Sequence, residues 1–228
     1  MSEPGSRRGR THDAEGARQA ILDAAEEVFA EHGFDGARMD VIAKVAGYNK
    51  SLIFQYFGDK LNLYSEVIRR ADKQTRSMQN DALASLMKGG TELDPEQFRV
   101  LMGKFVGWYF DYLLEHPHIQ RIYMWEMAEG WQTMSKIFTQ RDYDDVDEFM
   151  PVLAKLQSVG LLRTGLNPIW QISTALFTAA LHLSLPPLYK TLIPKLDFSS
   201  EPELALAREF VISFIVNGLL ITPSEAKP

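Results

Sequence analysis

The chain has 228 residues, 46% hydrophobic and 24% charged, with a formal net charge of −6; that is the balance of one or two globular domains with a sizeable core, not of a fibrous, disordered or uniformly basic chain. It contains no cysteine, which excludes disulfides, thiolate metal sites and cysteine nucleophiles. The run from Met1 to Arg10 is polar and lacks the apolar stretch of a secretion signal, so a cytoplasmic location is expected.

Residues 1–13 are rich in Ser, Gly and Arg without apolar periodicity and are expected to form a disordered arm. A first helix follows over 14–32, where Ile21, Ala25, Val28 and Phe29 make one apolar face; Gly33 ends it and Phe34 packs back. A short helix is predicted over 39–46 with Met39, Ile42, Ala43 and Ala46 inward, then a break at Gly47. Asn49 is placed to cap a second short helix over 50–57, with Ile53 and Phe57 inward. Asp59 can cap a long helix to residue 88, with Leu63, Val67, Ile68 and Ala71 as its buried stripe.

The remainder also reads as helices. Asp94-Pro95 and Asn167-Pro168 are cap-plus-proline openings for helices over 95–115 and 168–185. Another spans 118–128, one or two lie in 132–158, and a proline-broken connector over 186–202 precedes a last helix to residue 221. No strand alternation appears, so the expected fold is all-α. The uncharged stretch 164–189 is interrupted by Pro168, Gln171, His182 and Pro186-Pro187, and is read as a buried helix rather than a membrane span.

Charge is unevenly distributed. Residues 36–80 carry 8 basic and 4 acidic side chains, while both flanking segments are net acidic; between Val41 and Gly58 there is no acid. A phosphate-facing surface needs this local imbalance rather than a basic whole. Two short helices joined by a glycine turn and preceded by a longer one describe a helix-turn-helix, whose second short helix enters the major groove while the first crosses the backbone.

The run Gly33-Phe34-Asp35-Gly36, then Ile42-Ala43-Lys44-Val45-Ala46-Gly47-Tyr48-Asn49-Lys50, then Phe54-Gln55-Tyr56-Phe57-Gly58-Asp59-Lys60 and Leu63 resembles the N-terminal domain of the TetR (tetracycline repressor) family. That family shows a glycine-aromatic step, an I-A-x-x-A-G-V-S turn and then L-Y-x-Y-F-x-x-K-x-x-L. Departures fall at Ala37 and Arg38, where the family has Thr or Ser, at Tyr48 for the usual Val, at Ser51-Leu52, and at Phe54, which lacks the usual hydroxyl. They bear on which DNA is read more than on whether DNA is bound. The resemblance places Tyr56 and Lys60 at phosphate-clamping positions, and Lys44 and Arg38 are placed to add to the clamp. Lys50 is the best base-edge candidate, because a lysine donates to guanine O6 and N7; Tyr48, Asn49, Ser51, Leu52, Phe54 and Gln55 are its expected neighbours, with Leu52 or Phe54 against a thymine methyl.

The resemblance further implies a domain division into the arm 1–13, a DNA-binding domain 14–60 and an effector-binding and dimerisation domain 61–228. The last helix is apolar nearly all round, as a helix buried from two sides is. The family pairs its last two helices with those of a second subunit, so Leu183, Phe210, Val211, Phe214 and Ile215 are expected at a homodimer interface. A pocket for a small, largely apolar effector is implied among the central helices, with Trp108, Tyr112, Tyr123, Glu126, Met127, Trp131, Phe149, Trp170, Phe177 and His182 as candidate lining; the bland reading of each is core. Glu126 and His182 stand out as polar groups in apolar surroundings.

The expected function is a ligand-responsive transcriptional repressor that binds a double-stranded DNA operator as a homodimer. Effector binding shifts the long fourth helix and costs operator affinity. No cofactor, no metal and no membrane partner are expected. An enzyme is the first rival, but there is no nucleophile elbow, phosphate-binding loop, dinucleotide fingerprint or HExxH, and His116-Pro117-His118 is too closely spaced for one helical face. The second is a helical module of the same fold that does not bind specific DNA.

Overall fold

The computed structural model describes residues 7–88, 94–139, 144–163 and 165–220. Among them lie α1 (Arg7–Gly36), α2 (Met39–Ala46), α3 (Lys50–Phe57), α4 (Lys60–Lys88), α5 (Pro95–Glu115), α6 (Pro117–Ala128), α7 (Gln132–Thr139), α8 (Asp144–Ser158), α9 (Pro168–Ser184), α10 (Pro186–Leu192) and α11 (Glu201–Leu219). An isolated antiparallel bridge, Leu162 to Leu220, is the sole strand-like pairing among the described residues, so the all-α expectation holds. No described helix is long and apolar enough to cross a membrane.

The helix ends follow the expected local chemistry. Gly33 takes φ 67°, a left-handed conformation that breaks the run of α1. Gly47 closes α2 at φ 74°, donating its amide to the carbonyls of Ala43 and Lys44. Asn49 Oδ1 accepts the amide of Leu52 at 2.8 Å, and Asp59 Oδ1 accepts that of Asn62 at 2.7 Å. Asp94 and Asn167 cap α5 and α9 in the same way, each followed by proline in the first turn.

Two boundaries differ from expectation. Helix α1 starts at Arg7, inside the segment read as a disordered arm, where Arg7, Arg8 and Arg10 are good helix formers. Residues 1–6 of that arm lie outside the described residues. The connector 186–202 contains α10, because two prolines in a row suit a first helical turn, where no amide is needed.

The chain divides into two compact units. One joins Met1–Thr75 to Pro117–Asp142, the other Arg76–His116 to Tyr143–Pro228. The packing therefore does not follow a linear division after residue 60. In the first unit, α6 packs on α1, and Ile119, Ile122, Met134 and Ile137 join Ile21, Val28, Phe29, Ile42, Ile53, Phe57, Leu63 and Val67 in one buried cluster. Each such side chain contributes about 1.5–3 kcal/mol by leaving water. In the second unit, α5, α9 and α11 pack together, and Phe98, Leu153, Leu156, Leu161, Leu162 and Leu220 form a core at one end. Helices α5 and α11 approach closely at Gly103 and Gly107. A methyl group at Gly107 would meet the Arg208 guanidinium at 2.5 Å and Ile212 at 3.0 Å.

Candidate nucleic-acid interface

The first unit holds α2 and α3 by their apolar sides and leaves the other sides to solvent. Ile42 and Ile53 are fully buried and Phe57 nearly so, which fixes the angle between two helices too short to be stable alone. Tyr48, Leu52 and Tyr56 are half-buried against the same core, the Tyr56 ring lying edge-on to Phe57 at 6.3 Å. They support α3 more than they project from it. Lys44, Lys50, Ser51, Phe54 and Gln55 are exposed.

The start of α2 shows how the missing Thr or Ser cap is replaced. Arg38 occupies the cap position with extended backbone but makes no side-chain cap bond. Instead its guanidinium holds both oxygens of Asp40, at 3.3 and 3.0 Å. Asp40 accepts its own amide, and that bond, with the Arg38 partner, holds its carboxyl below the usual carboxylate range. The arginine thus offsets the one acid at the front of α2.

The basic count over 36–80 also needs refinement. Arg18 pairs with Glu66, and Arg70 pairs with Asp23 and Glu26, so these two cations bind α1 to α4, while Arg69 pairs with Glu66 within α4. Lys60 is turned inward as well: its ammonium donates to the Asp35 carbonyl at 3.2 Å and lies 4.6 Å from the centre of the Phe34 ring. Burial holds its pKa below the ordinary lysine value, with Asp35 and Glu129 opposing. In this conformation Lys60 fastens the end of α1 to the start of α4, rather than reaching outward as the phosphate clamp expected of it. The outward positive charge of the motif comes from Lys44 and Lys50, with Arg38 shared.

Asn49 is likewise committed, since its side-chain oxygen is the α3 cap. Of the expected base-reading group, the exposed set is Lys50, Ser51, Phe54 and Gln55. Lys50 Nζ sits 5.8 Å from the centre of the Phe54 ring, one helical turn on.

The ten candidate pocket residues are divided between the units. Tyr123, Glu126, Met127 and Trp131 belong to the first. Tyr123 and Trp131 pack on its core, and Met127 is exposed. Glu126 is 1% exposed, and both its oxygens are taken: Tyr64 Oη donates at 2.7 Å and the Met134 amide at 3.0 Å. These two bonds hold the carboxyl within the core of the first unit. Burial, then the Glu126 bond, pushes the Tyr64 phenol well above its ordinary pKa. The Tyr64–Glu126 pair joins positions 62 apart, so no local pattern in the sequence marks it.

In the second unit, Trp108 stacks on Tyr112 at 5.7 Å; Phe105 and His116 extend this ladder along α5 at 6.0 and 4.5 Å. On α9, Trp170 is 70% exposed and Phe177 is also exposed. His182 is half-buried, its Nδ1 2.9 Å from the Thr178 carbonyl and its ring 5.5 Å from Phe210. The side chain of Phe149 lies outside the described residues. Helix α11 separates the expected dimer residues. Val211 and Ile215 are buried within the unit, whereas Phe210 and Phe214 are more than half exposed; Leu183, on α9, is half-buried. Val211 and Ile215, four apart, share the inner stripe, and Leu206, Phe210 and Phe214, also four apart, share a different one. Leu206 and Leu181, both exposed, belong to the outer set that sequence reasoning missed, although the same spacing marks them.

Comparison with known proteins agrees with this arrangement. Residues 21–67 match the profile described as bacterial regulatory proteins, tetR family. The chain is 36% identical over 83 residues to the HTH-type transcriptional repressor AcnR of Corynebacterium glutamicum, a match that covers 36% of this chain and 44% of AcnR. It is 30% identical over 156 residues to the HTH-type transcriptional repressor NicS of Pseudomonas putida, covering 68% of this chain and 69% of NicS. The chain thus spans about half the length of the curated relatives it matches first. Among solved structures, the putative transcriptional regulator SCO4942 of Streptomyces coelicolor superposes with a TM-score of 0.60 at 25% identity, covering 89% of this chain and 98% of that one.

Proposed function

The chain belongs to the tetR family of bacterial regulatory proteins, and we propose on that footing that it is a ligand-responsive transcriptional repressor, acting in the cytoplasm as a homodimer on a double-stranded DNA operator. The observation that carries this reading is α3. It is an acid-free helix held by Ile53 and Phe57 and braced by Tyr48, Leu52 and Tyr56, presenting Lys50, Ser51, Phe54 and Gln55 to solvent. That is the form of a recognition helix, in which core residues set the angle and exposed ones meet base edges. Repression is the activity printed for AcnR and NicS.

The outer faces of α9 and α11 support the homodimer. Trp170, Phe177, Leu181, Leu206, Phe210 and Phe214 are all exposed in the single chain, and apolar surface of this extent marks an interaction site on a monomer. A two-fold pair of such faces would present two recognition helices to two half-sites. The aromatic ladder of α5 supports a small, largely apolar effector in the second unit, where flat rings stack on a flat or hydrocarbon ligand. Binding assays on DNA flanking the gene test the reading. Retardation should be sequence-selective, weaken steeply with salt, and be relieved by the effector. Absence of selective binding at any salt overturns it.

A further inference from the structure

The structure narrows which side chains of α3 are free to read sequence. Ile53 and Phe57 are buried, Tyr48, Leu52 and Tyr56 lean on the core, and Asn49 is spent on the helix cap. What is left is two adjacent stripes, Lys50 with Phe54 and Ser51 with Gln55. The first is chemically unusual, since a cation and a bare aromatic ring lie in contact, with the ammonium 5.8 Å from the ring centre and Phe54 42% exposed. Phe54 has no hydroxyl to spend on a phosphate, so in a groove its ring can meet only apolar surface. In the major groove that surface is the C5-methyl of thymine, while the strongest acceptor pair for an ammonium is O6 and N7 of guanine. Spacing adds a constraint. Four residues of helix rise about 6 Å, and bases along a strand are about 3.4 Å apart, so the two side chains span fewer than two base steps.

We propose that Lys50 and Phe54 act as one reading unit, which requires in each half-site a guanine and a thymine within two base steps of each other. Lys50 donates to the guanine, and Phe54 packs on the thymine methyl. The inference rests on the DNA-binding reading above and adds to it the identity of the bases. Asp40, whose carboxylate senses Lys50, is held by Arg38 and so does not compete for the ammonium.

The test begins with selection from a randomised duplex library by the full-length protein. The wild type should enrich a two-fold symmetric motif carrying the guanine and thymine at that spacing. Lys50→Ala should lose its preference at the guanine, a discrimination of roughly 5- to 150-fold, while keeping the thymine. On a fixed selected duplex, replacing that thymine with deoxyuridine removes only the methyl; the wild type should bind about fourfold more weakly, and Phe54→Ala should not distinguish the two duplexes. Both side chains are exposed, so unchanged thermal melting of each variant confirms that binding alone is altered. A motif without guanine, a Lys50→Ala variant that still selects it, or a wild type indifferent to deoxyuridine overturns the proposal and leaves the DNA-binding reading standing. A wild type that enriches no motif overturns both.

Discussion

The two units use apolar side chains differently. In the first, the apolar positions assigned to the core by periodicity are inside: Ile21, Phe29, Ile42, Ile53 and Leu63 have no exposed surface. In the second, α9 and α11 bury one side and leave the other bare, with Trp170 at 70%, Leu206 at 64% and Phe210 at 57% exposure. The same residue types thus mean a finished core in one unit and an unpaired face in the other. Composition alone therefore does not tell a helix side packed inside its own unit from one left to solvent.

The contrast breaks most visibly at Phe29 and Phe210. Phe29→Ala removes a ring that contacts Phe34 and Tyr64, and it should destabilise the protein by about 3–5 kcal/mol in chemical denaturation followed at low protein concentration. Phe210→Ala should change that same quantity by no more than about 0.5 kcal/mol, yet raise the dimer dissociation constant in analytical ultracentrifugation. Equal losses in the two denaturation curves would erase the distinction.

A smaller effect sharpens the comparison within the polar groups. Tyr64→Phe leaves one oxygen of buried Glu126 without its donor and should cost about 1–3 kcal/mol near neutral pH. The sign of its pH dependence follows from the raised phenol. The folded protein keeps the Tyr64 proton where an unfolded tyrosine, with a pKa of about 10, gives it up. Stability from this site is therefore fully present below pH of about 10 and falls as pH rises beyond it. Tyr109 in the second unit, pushed up by burial to about 12, adds a fall in the same direction. Tyr64→Phe should reduce the alkaline slope and Tyr109→Phe should reduce it further; unchanged slopes in melts between pH 9 and 11 contradict this account.

The smallest effect is local. Asn49→Ala removes the α3 cap and should cost about 1 kcal/mol, with a larger fractional loss of DNA affinity than of stability, because α3 is displaced from its angle. Melting and anisotropy measured on the same sample compare the two losses.

What could be read in advance follows a physical divide. The bounds of α2 and α3, their glycine turn and the caps at Asn49 and Asp59 depend on neighbours within four residues, and sequence carries that information directly. Exposure of Lys50 and burial of Ile53 follow from the same short period. The role of Glu126 was not legible, because its partner Tyr64 is brought to it by α4 from 62 positions away, and the Met134 amide reaches it only once α7 folds back. Nor was the inward turn of Lys60, which depends on a carbonyl and a ring 25 and 26 residues upstream. For α11 the composition announced two buried sides, but which of Phe210 and Val211 faced inward needed the packing of α5.

The interleaving of the two units bears on how the protein emerges from the ribosome. The N-terminal unit cannot close when Thr75 has been made, because Ile119, Ile122, Met134 and the groups around Glu126 come only with α6 and α7. The intervening 64 residues to Thr139 take roughly 3–13 s at ordinary elongation rates. For that interval the parts of α1 and α4 that α6 and α7 cover lack those partners. The helix-turn-helix is thus encoded early and completed late, and a chain cut short before α7 would carry the recognition helix without part of the core its unit is built on.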